Sequence, residues 1–174
     1  AGRLNIKWFK AGTKAAEVVE FLTPRSPVQN CNHLEIYVAD TSLNWPSEID
    51  SPPKIISEHC GIDDALNILA LFDAASDYEL KAAAFLLYQG IAEEFEEALT
   101  LADDVHIIEH NPYGKGNQFT GSTPEETLGF YWVENGLIEV PDHVERYFNY
   151  KQLGRELLQD NYTYFAGDIY EYTN

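Results

Sequence analysis

The sequence predicts an α+β fold, with helices gathered in the middle of the chain and short strands towards both ends. Between residues 61 and 102, apolar side chains recur with helical spacing. On either side, His33–Ala39 and Val105–His110 are rich in β-branched or aromatic residues, which favour strands. The connection Asp40–Pro53 holds three prolines and is the best candidate for a domain boundary. With 45% hydrophobic and 13% aromatic residues, the 174-residue chain can bury a core.

The first part of the chain predicts a small mixed unit. Residues Arg3–Phe9 alternate between polar and apolar side chains up to Trp8, as a half-buried strand does. Thr13 is placed to cap a helix over Ala15–Leu22. Residues 24–32, rich in Pro, Ser and Asn, read as a loop before the His33–Ala39 strand.

Two helices follow in the middle. The first starts after Gly61 with two aspartates in its first turn, where the helix dipole favours negative charge. The second starts at the capping-box pattern Ser76–Glu79 and ends at Gly90. A single inward stripe is predicted for the first helix, formed by Ile62, Leu66, Leu69 and Phe72.

A third helix is predicted over Ile91–Ala102, and it is strongly acidic. In a helix of this length, Glu93 and Glu97 are like charges one turn apart, which costs a few tenths of a kcal/mol. A helix selected only for stability would place lysine at one of them. The side chains predicted to face the core are Ile91, Phe95, Leu99 and Ala102.

The C-terminal part predicts a second mixed unit. After the strand Val105–His110 and a glycine-rich loop, Thr123 opens a helix with proline at its first position that runs to Asn135. At the end of the chain, Tyr162–Phe165 and Asp168–Tyr172 predict a β-hairpin around Ala166-Gly167.

Two short helices are predicted between these elements. Pro141 is expected at the first position of the first of these helices. Asn149 is expected to end that helix and to cap the second one. The first helix is predicted to present one apolar face made of Val144, Tyr147 and Phe148. Leu153 and Leu157 form the corresponding face of the second helix.

Charge is the strongest global feature. Eleven Lys and Arg against 29 Asp and Glu give a net charge of −18. Residues 1–32 carry +3, whereas residues 33–174 carry −21. Direct binding of nucleic acid is disfavoured because such affinity comes from Lys and Arg neutralising phosphates. A dimer would carry 36 negative charges, the load of roughly 60 Å of duplex DNA.

The sequence shows neither a membrane segment nor a signal peptide, and this predicts the cellular location and the redox state of the cysteines. No run is long and apolar enough for a membrane helix, and no signal peptide is visible, so a cytoplasmic protein is expected. Cys31 and Cys60 are therefore expected as free thiols, with one structural disulfide as the alternative.

One string of residues raises an enzymatic alternative. His106, Glu109 and His110 match the H-x-x-E-H pattern of inverted zinc peptidases, in which both histidines lie one helical turn apart. The segment reads as a strand, where the two histidines would lie about 13 Å apart, too far for one zinc ion. The prediction is a protein without enzymatic activity, cofactor or metal.

The residues from 137 to 157 carry a resemblance to a known family. The Glu139-Val140-Pro141 start, the Tyr147-Phe148 pair, Tyr150, and Gly154-Arg155 followed by an acid and Leu157 resemble the antirestriction motif of the ArdA family. These are small acidic proteins of mobile genetic elements that block type I restriction–modification enzymes by imitating DNA. The early position of Trp8 and the basic first 32 residues depart from the family pattern.

The resemblance implies an elongated homodimer whose chains each have three small domains. The expected divisions are 1–53 (N-terminal α+β, its first strand altered or absent), 54–102 (acidic and helical) and 103–174 (C-terminal α+β, carrying the motif). The motif residues would serve folding and dimer contacts: Val140, Pro141, Tyr147, Phe148, Tyr150, Gly154, Arg155 and Leu157.

The implied function is inhibition by DNA mimicry. Surface carboxylates would stand where phosphates stand in B-DNA and occupy the DNA groove of the specificity and methyltransferase subunits. A decoy for a different DNA-binding protein is the alternative that shares this composition. The carboxylates expected to mimic phosphates are Asp63, Asp64, Asp73, Asp77, Glu79, Glu93, Glu94, Glu96, Glu97, Asp103, Asp104, Glu125 and Glu126.

Overall fold

A computed structural model describes residues 7–10, 12–22, 38, 41–110 and 123–173 of the chain. Within these ranges the fold is mixed α+β, as predicted, with seven α-helices and one three-stranded sheet. The chain divides into two compact units, one of residues 1–46 and 51–99 and the other of residues 47–50 and 100–174. The finer division into three domains stays a prediction. In the same ranges, no helix combines the length and the apolar character that a bilayer crossing requires.

The first unit is helical in its described part. Its elements are α1 (Ala15–Leu22), α2 (Ile62–Ala74), α3 (Asp77–Gln89) and most of α4 (Phe95–Thr100). The predicted bounds of α1 and the starts of α2 and α3 are confirmed. Phe72 is the residue of the predicted α2 stripe that becomes fully buried, whereas the other three stay half-buried.

An aromatic cluster forms part of this unit's core. Trp45, in the irregular connection, packs edge-on against Phe72 of α2 and Phe95 of α4, with ring centroids 5.0 and 6.0 Å away. Phe72 and Phe95 lie 5.9 Å apart. The connection that the sequence marks as a boundary therefore supplies a half-buried tryptophan that packs on two buried core residues.

Two predictions at the N-terminus are only partly covered. Lys7–Phe9, the end of the predicted first strand, is irregular, and residues 3–6 lie outside the described part. The predicted strand His33–Ala39 lies outside it except for Val38, whose N–H donates to the carbonyl oxygen of Glu58. Cys31 also lies outside, and Cys60 is a half-buried free thiol.

The third helix is shorter than predicted, and its start explains why. Gly90 ends α3 in the left-handed conformation, and the chain stays irregular until Phe95. The Glu97 carboxylate accepts a hydrogen bond from the N–H of Glu93, 2.9 Å away. The predicted repulsion between these residues within one helix is therefore wrong, because Glu93 precedes the helix. Ile91 is exposed rather than inward-facing, and Ala98 is buried instead.

The second unit is built on the sheet. Strands β1 (Val105–Ile108), β2 (Tyr162–Phe165) and β3 (Asp168–Tyr172) are antiparallel in the order β1-β3-β2. The β2–β3 hairpin is confirmed, with Ala166 and Gly167 both at positive φ, as a type I′ turn requires. Strand β1 ends two residues earlier than the predicted strand Val105–His110.

Two helices cover this sheet. They are α5 (Pro124–Glu134) and α7 (Tyr150–Asp160). Thr123 caps α5 and Pro124 is its first residue, as predicted. Tyr131, Trp132, Leu157 and Leu158 pack against a buried cluster formed by Ile108, Leu128, Tyr162 and Ile169.

The linking helix α6 (Asp142–Glu145) has only one turn. The predicted apolar face of Val144, Tyr147 and Phe148 is therefore wrong, since the helix ends before the two aromatic residues and Tyr147 is exposed. Pro141 is the cap of this helix rather than its first residue. Asn149 caps α7 as predicted, its side-chain oxygen accepting the N–H of Gln152 at 3.0 Å.

Candidate functional site

The carboxylates singled out in the sequence lie mostly at the surface. Between Ile62 and Thr100, nine residues are acidic and one, Lys81, is basic. Three of the thirteen selected side chains are half-buried, namely Glu79, Glu125 and Glu126. The ten exposed ones are Asp63, Asp64, Asp73, Asp77, Glu93, Glu94, Glu96, Glu97, Asp103 and Asp104.

Some of these carboxylates also hold helix N-termini. Glu79 accepts hydrogen bonds from both the N–H and the hydroxyl of Ser76, each 2.7 Å long, and the Ser76 hydroxyl accepts the N–H of Glu79. This is a complete capping box, and its hydrogen bonds lower the pKa of Glu79. Glu97 plays a related part by accepting the N–H of Glu93. Composition alone does not separate these side chains from carboxylates that only face solvent.

Glu125 lies in the first turn of α5 and is tied to the motif helix. A hydrogen bond from Thr123 is the largest cause of its lowered pKa, followed by a backbone hydrogen bond. The positive charges of Lys151 and Arg155 on α7 lower the pKa further. Arg155 therefore complements a carboxylate of its own chain.

The motif brings α5 and α7 into backbone contact. A Cβ atom added to Gly154 would overlap the carbonyl group of Glu125, and one added to Gly129 would overlap the carbonyl group of Tyr150. Each helix thus contributes a glycine that admits the backbone of the other. The sequence analysis singled out Gly154 but missed Gly129, although a glycine inside a helix was the available signal.

The motif's aromatic residues extend the same contact. The ring of Tyr150 stacks on Phe130 with centroids 4.1 Å apart, and Phe148 meets Tyr150 edge-on at 5.1 Å. The Tyr150 hydroxyl donates to Glu145 at 3.4 Å, and burial is the main cause of the raised pKa of Tyr150. Tyr150, Phe148 and Gly154 therefore pack within the second unit, and Phe130 is a partner that sequence reasoning missed. The dimer contacts that the resemblance implies for the motif stay a prediction.

The histidines of the enzymatic alternative have separate structural partners. His106 Nε2 lies 2.9 Å from the hydroxyl of Tyr131, and His110 Nδ1 lies 2.8 Å from the hydroxyl of Thr127. The N–H of His110 donates to Asp168 at 3.1 Å. Burial lowers the pKa of His110, whereas nearby Asp168 and Glu125 raise it. His106 in β1 and His110 just after β1 thus each form a side-chain hydrogen bond with a residue of α5.

The described residues contain no group of three or more His, Cys, Asp or Glu arranged to hold a metal ion. His106 lies in β1 and is exposed, whereas His110 lies two residues after the end of β1 and is half-buried. Nothing in their geometry supports the zinc-peptidase interpretation.

The fold and the exposed carboxylates define an acidic α+β protein. The protein-family model for antirestriction protein (ArdA) matches residues 1–172 of the 174. The chain belongs to the ArdA antirestriction family. Membership implies an inhibitor that acts on restriction–modification enzymes rather than an enzyme in its own right. No curated protein and no solved structure matched the chain.

Proposed function

We propose that this protein inhibits type I restriction–modification enzymes by presenting carboxylates in place of DNA phosphates. The observation that carries the proposal is the acidic surface between Ile62 and Thr100, in a chain that belongs to an antirestriction family. A groove that binds DNA is lined with Lys and Arg, so it attracts a surface of fixed negative charge. The acidic residues would occupy the groove of the specificity and methyltransferase subunits and exclude DNA.

The proposal gives the carboxylates two roles. Exposed side chains such as Asp73, Asp77 and Glu94 would face the enzyme directly. Glu79 and Glu97 would hold the helices that carry them. A homodimer formed through the C-terminal unit, as the resemblance implies, would double the number of carboxylates offered to the enzyme.

Binding to a purified type I methyltransferase, in competition with its DNA and over a salt series, tests this function. We expect the protein to exclude DNA and its affinity to fall steeply with salt, because exposed charges are screened. Exclusion of DNA that does not weaken with salt would contradict mimicry by charge. Absence of binding at low salt would contradict the type I target, and the acidic-decoy alternative would then be tested on other DNA-binding proteins.

A charge-neutral variant locates the surface. Its four substitutions are Asp73→Asn, Asp77→Asn, Glu93→Gln and Glu94→Gln, which leave the caps at Glu79 and Glu97 in place. A control variant removes the same number of exposed charges elsewhere through Glu17→Gln, Glu20→Gln, Asp50→Asn and Glu58→Gln. A larger loss of affinity and of salt dependence in the first variant supports the proposed surface. Equal losses would attribute binding to net charge alone.

A further inference from the structure

The start of this acidic chain carries an exposed basic surface in the first unit. Lys7, Lys10 and Lys14 all lie at the surface, in a chain whose net charge is −18. Trp8 lies among them, and 64% of its surface is exposed. We call these four residues the basic patch. Tryptophan is enriched among the residues that contribute most to protein interfaces, so its exposure beside three cations indicates an interaction surface.

The fold of the first unit holds the basic patch in place. The rings of Phe9 and Phe21 meet edge-on with centroids 5.7 Å apart, and Lys7 Nζ lies 4.8 and 5.0 Å from their centroids. The N–H and the hydroxyl of Thr13 both donate to the carbonyl oxygen of Lys10, at 3.2 and 2.7 Å. Helix α1, which follows, packs against α2. The lysines are therefore positioned by tertiary contacts and not only by the local chain.

Contacts inside the chain do not account for these lysines. Within the part of the chain that the structure describes, neither Lys10 nor Lys14 forms an ion pair. Lys14 directly precedes α1, and its carbonyl oxygen accepts the N–H of Glu17 at 2.9 Å. A cation at the start of a helix opposes the helix dipole, so the stability of α1 does not explain a lysine there. These positive charges are available to a partner.

An anionic surface that complements the basic patch lies on the chain itself. Nine acidic residues and one basic residue occur between Ile62 and Thr100, and most of these carboxylates are exposed. The patch and this acidic surface belong to the same compact unit. Two copies related by a two-fold axis can therefore each place the basic patch on the acidic surface of the other. A nucleic acid fits less well, because such sites typically neutralise about 6–10 phosphates and the patch offers three lysines.

We propose that the basic patch binds the acidic surface of a second copy of this chain, with Trp8 as the apolar centre of the contact. The two copies repel each other through their net charge, but this repulsion is screened beyond about 8 Å at physiological salt, whereas charges in direct contact still attract. The contact lies in the first unit. It is therefore distinct from the dimer contact that the resemblance implies for the C-terminal unit.

Sedimentation velocity of the full chain, over a concentration series at about 0.1 M and about 0.5 M salt, tests the inference. The patch variant Lys10→Glu/Lys14→Glu reverses two charges of the basic patch. The control variant Lys54→Glu/Lys151→Glu makes the same change in net charge at two exposed lysines outside it. Thermal unfolding checks that both fold, and Lys10→Gln/Lys14→Gln is used if the patch variant does not.

A charge exchange between two variants identifies both sides of the contact. The variant Asp73→Lys/Glu93→Lys/Glu94→Lys reverses three exposed charges of the acidic surface. Alone, it sets positive charge against positive charge, just as the patch variant sets negative against negative. When the two are mixed, opposite charges meet in both halves of the two-fold contact. We expect the mixture to associate although neither variant associates through this contact alone.

The wild-type protein and the control variant should self-associate with similar affinity, more weakly at the higher salt concentration. The patch variant should associate at least about tenfold more weakly at the lower one. Equal association of the patch and control variants would overturn the inference, as would a mixture that fails to associate. Fluorescence anisotropy with a labelled oligonucleotide tests the other anionic partner. Oligonucleotide binding that the patch variant loses, with unchanged self-association, would also overturn the inference. The proposed function is untouched by these outcomes, because no restriction enzyme takes part.

Discussion

Gly154 of α7 lies directly against the carbonyl group of Glu125 in α5, so closely that a side chain at position 154 has no room. Gly129 of α5 faces the carbonyl group of Tyr150 in the same way. Because the obstacle in both cases is backbone, no change of rotamer relieves it. The reciprocal pair explains why the motif places a glycine inside an amphipathic helix, where glycine is otherwise unfavourable.

The variant Gly154→Ala is expected to lower the free energy of unfolding by about 2–3 kcal/mol, since the added methyl group forces the two helices apart. Urea denaturation of the purified protein measures it. Gly61→Ala is the control, because a Cβ at Gly61 would meet only the flexible side chain of Asp64. Equal stability of the two variants would contradict the backbone contact.

Features set by neighbouring residues could be predicted from the sequence, whereas contacts between distant residues could not. The capping box at Ser76, the Asn149 cap and the Ala166-Gly167 turn each follow from a few adjacent residues. The partnership of Gly129 with Gly154 depends on how two helices cross, which no local pattern specifies.

The wrong predictions also arose where contacts in the folded chain overrode a local sequence pattern. The helix predicted from Ile91 starts at Phe95, because the turn at Gly90 and a hydrogen bond from Glu93 to Glu97 outweigh the helical periodicity. For the candidate site, the sequence marked the carboxylates as exposed acids. The Ser76–Glu79 pattern indicated the capping role of Glu79, but nothing local indicated the hydrogen bond to Glu97, which depends on where the helix starts.

The capping role of Glu79 separates it from its neighbour Asp77. Both variants Glu79→Ala and Asp77→Ala remove one negative charge from the first turn of α3. Only Glu79→Ala also removes the hydrogen bonds from Ser76, so we expect a lower thermal midpoint for this variant than for Asp77→Ala. Differential scanning calorimetry measures both midpoints. A midpoint for Asp77→Ala at or below that of Glu79→Ala would show that the box contributes nothing.

His110 makes stability depend on pH. Its pKa is lowered in the folded protein, chiefly by burial, although Asp168 and Glu125 oppose the shift. The unfolded chain therefore binds a proton more readily, and this contribution to stability is present above pH 6.5 and is lost as pH falls through the folded-state pKa.

The variant His110→Gln should accordingly lose less stability than the wild-type protein between pH 7.5 and pH 5.5. Thermal midpoints across this range provide the measurement, and His143→Gln, at an exposed position of α6, is the control. The prediction fails if His110→Gln and the wild-type protein show the same pH profile.

The hairpin turn offers a gain in stability. Ala166 has a φ of 47°, in the left-handed region that alanine rarely adopts, and Gly167 follows it with a φ of 91°. Asn-Gly is the preferred pair for such a turn, so Ala166→Asn should raise the free energy of unfolding by about 0.5–1 kcal/mol. Chemical denaturation measures the gain. Ala166→Val, which adds a β-branched side chain at the same φ, is the control and should destabilise the protein.

Two tyrosines of one motif are expected to behave in opposite ways. Tyr150 stacks on Phe130 and contacts Phe148, so Tyr150→Ala should lower the free energy of unfolding by about 2–3 kcal/mol. Tyr147 is largely exposed, so Tyr147→Ala should change it by less than about 0.5 kcal/mol. Urea denaturation of both variants measures the difference. Equal losses of stability in the two variants would contradict the difference in packing between the two tyrosines.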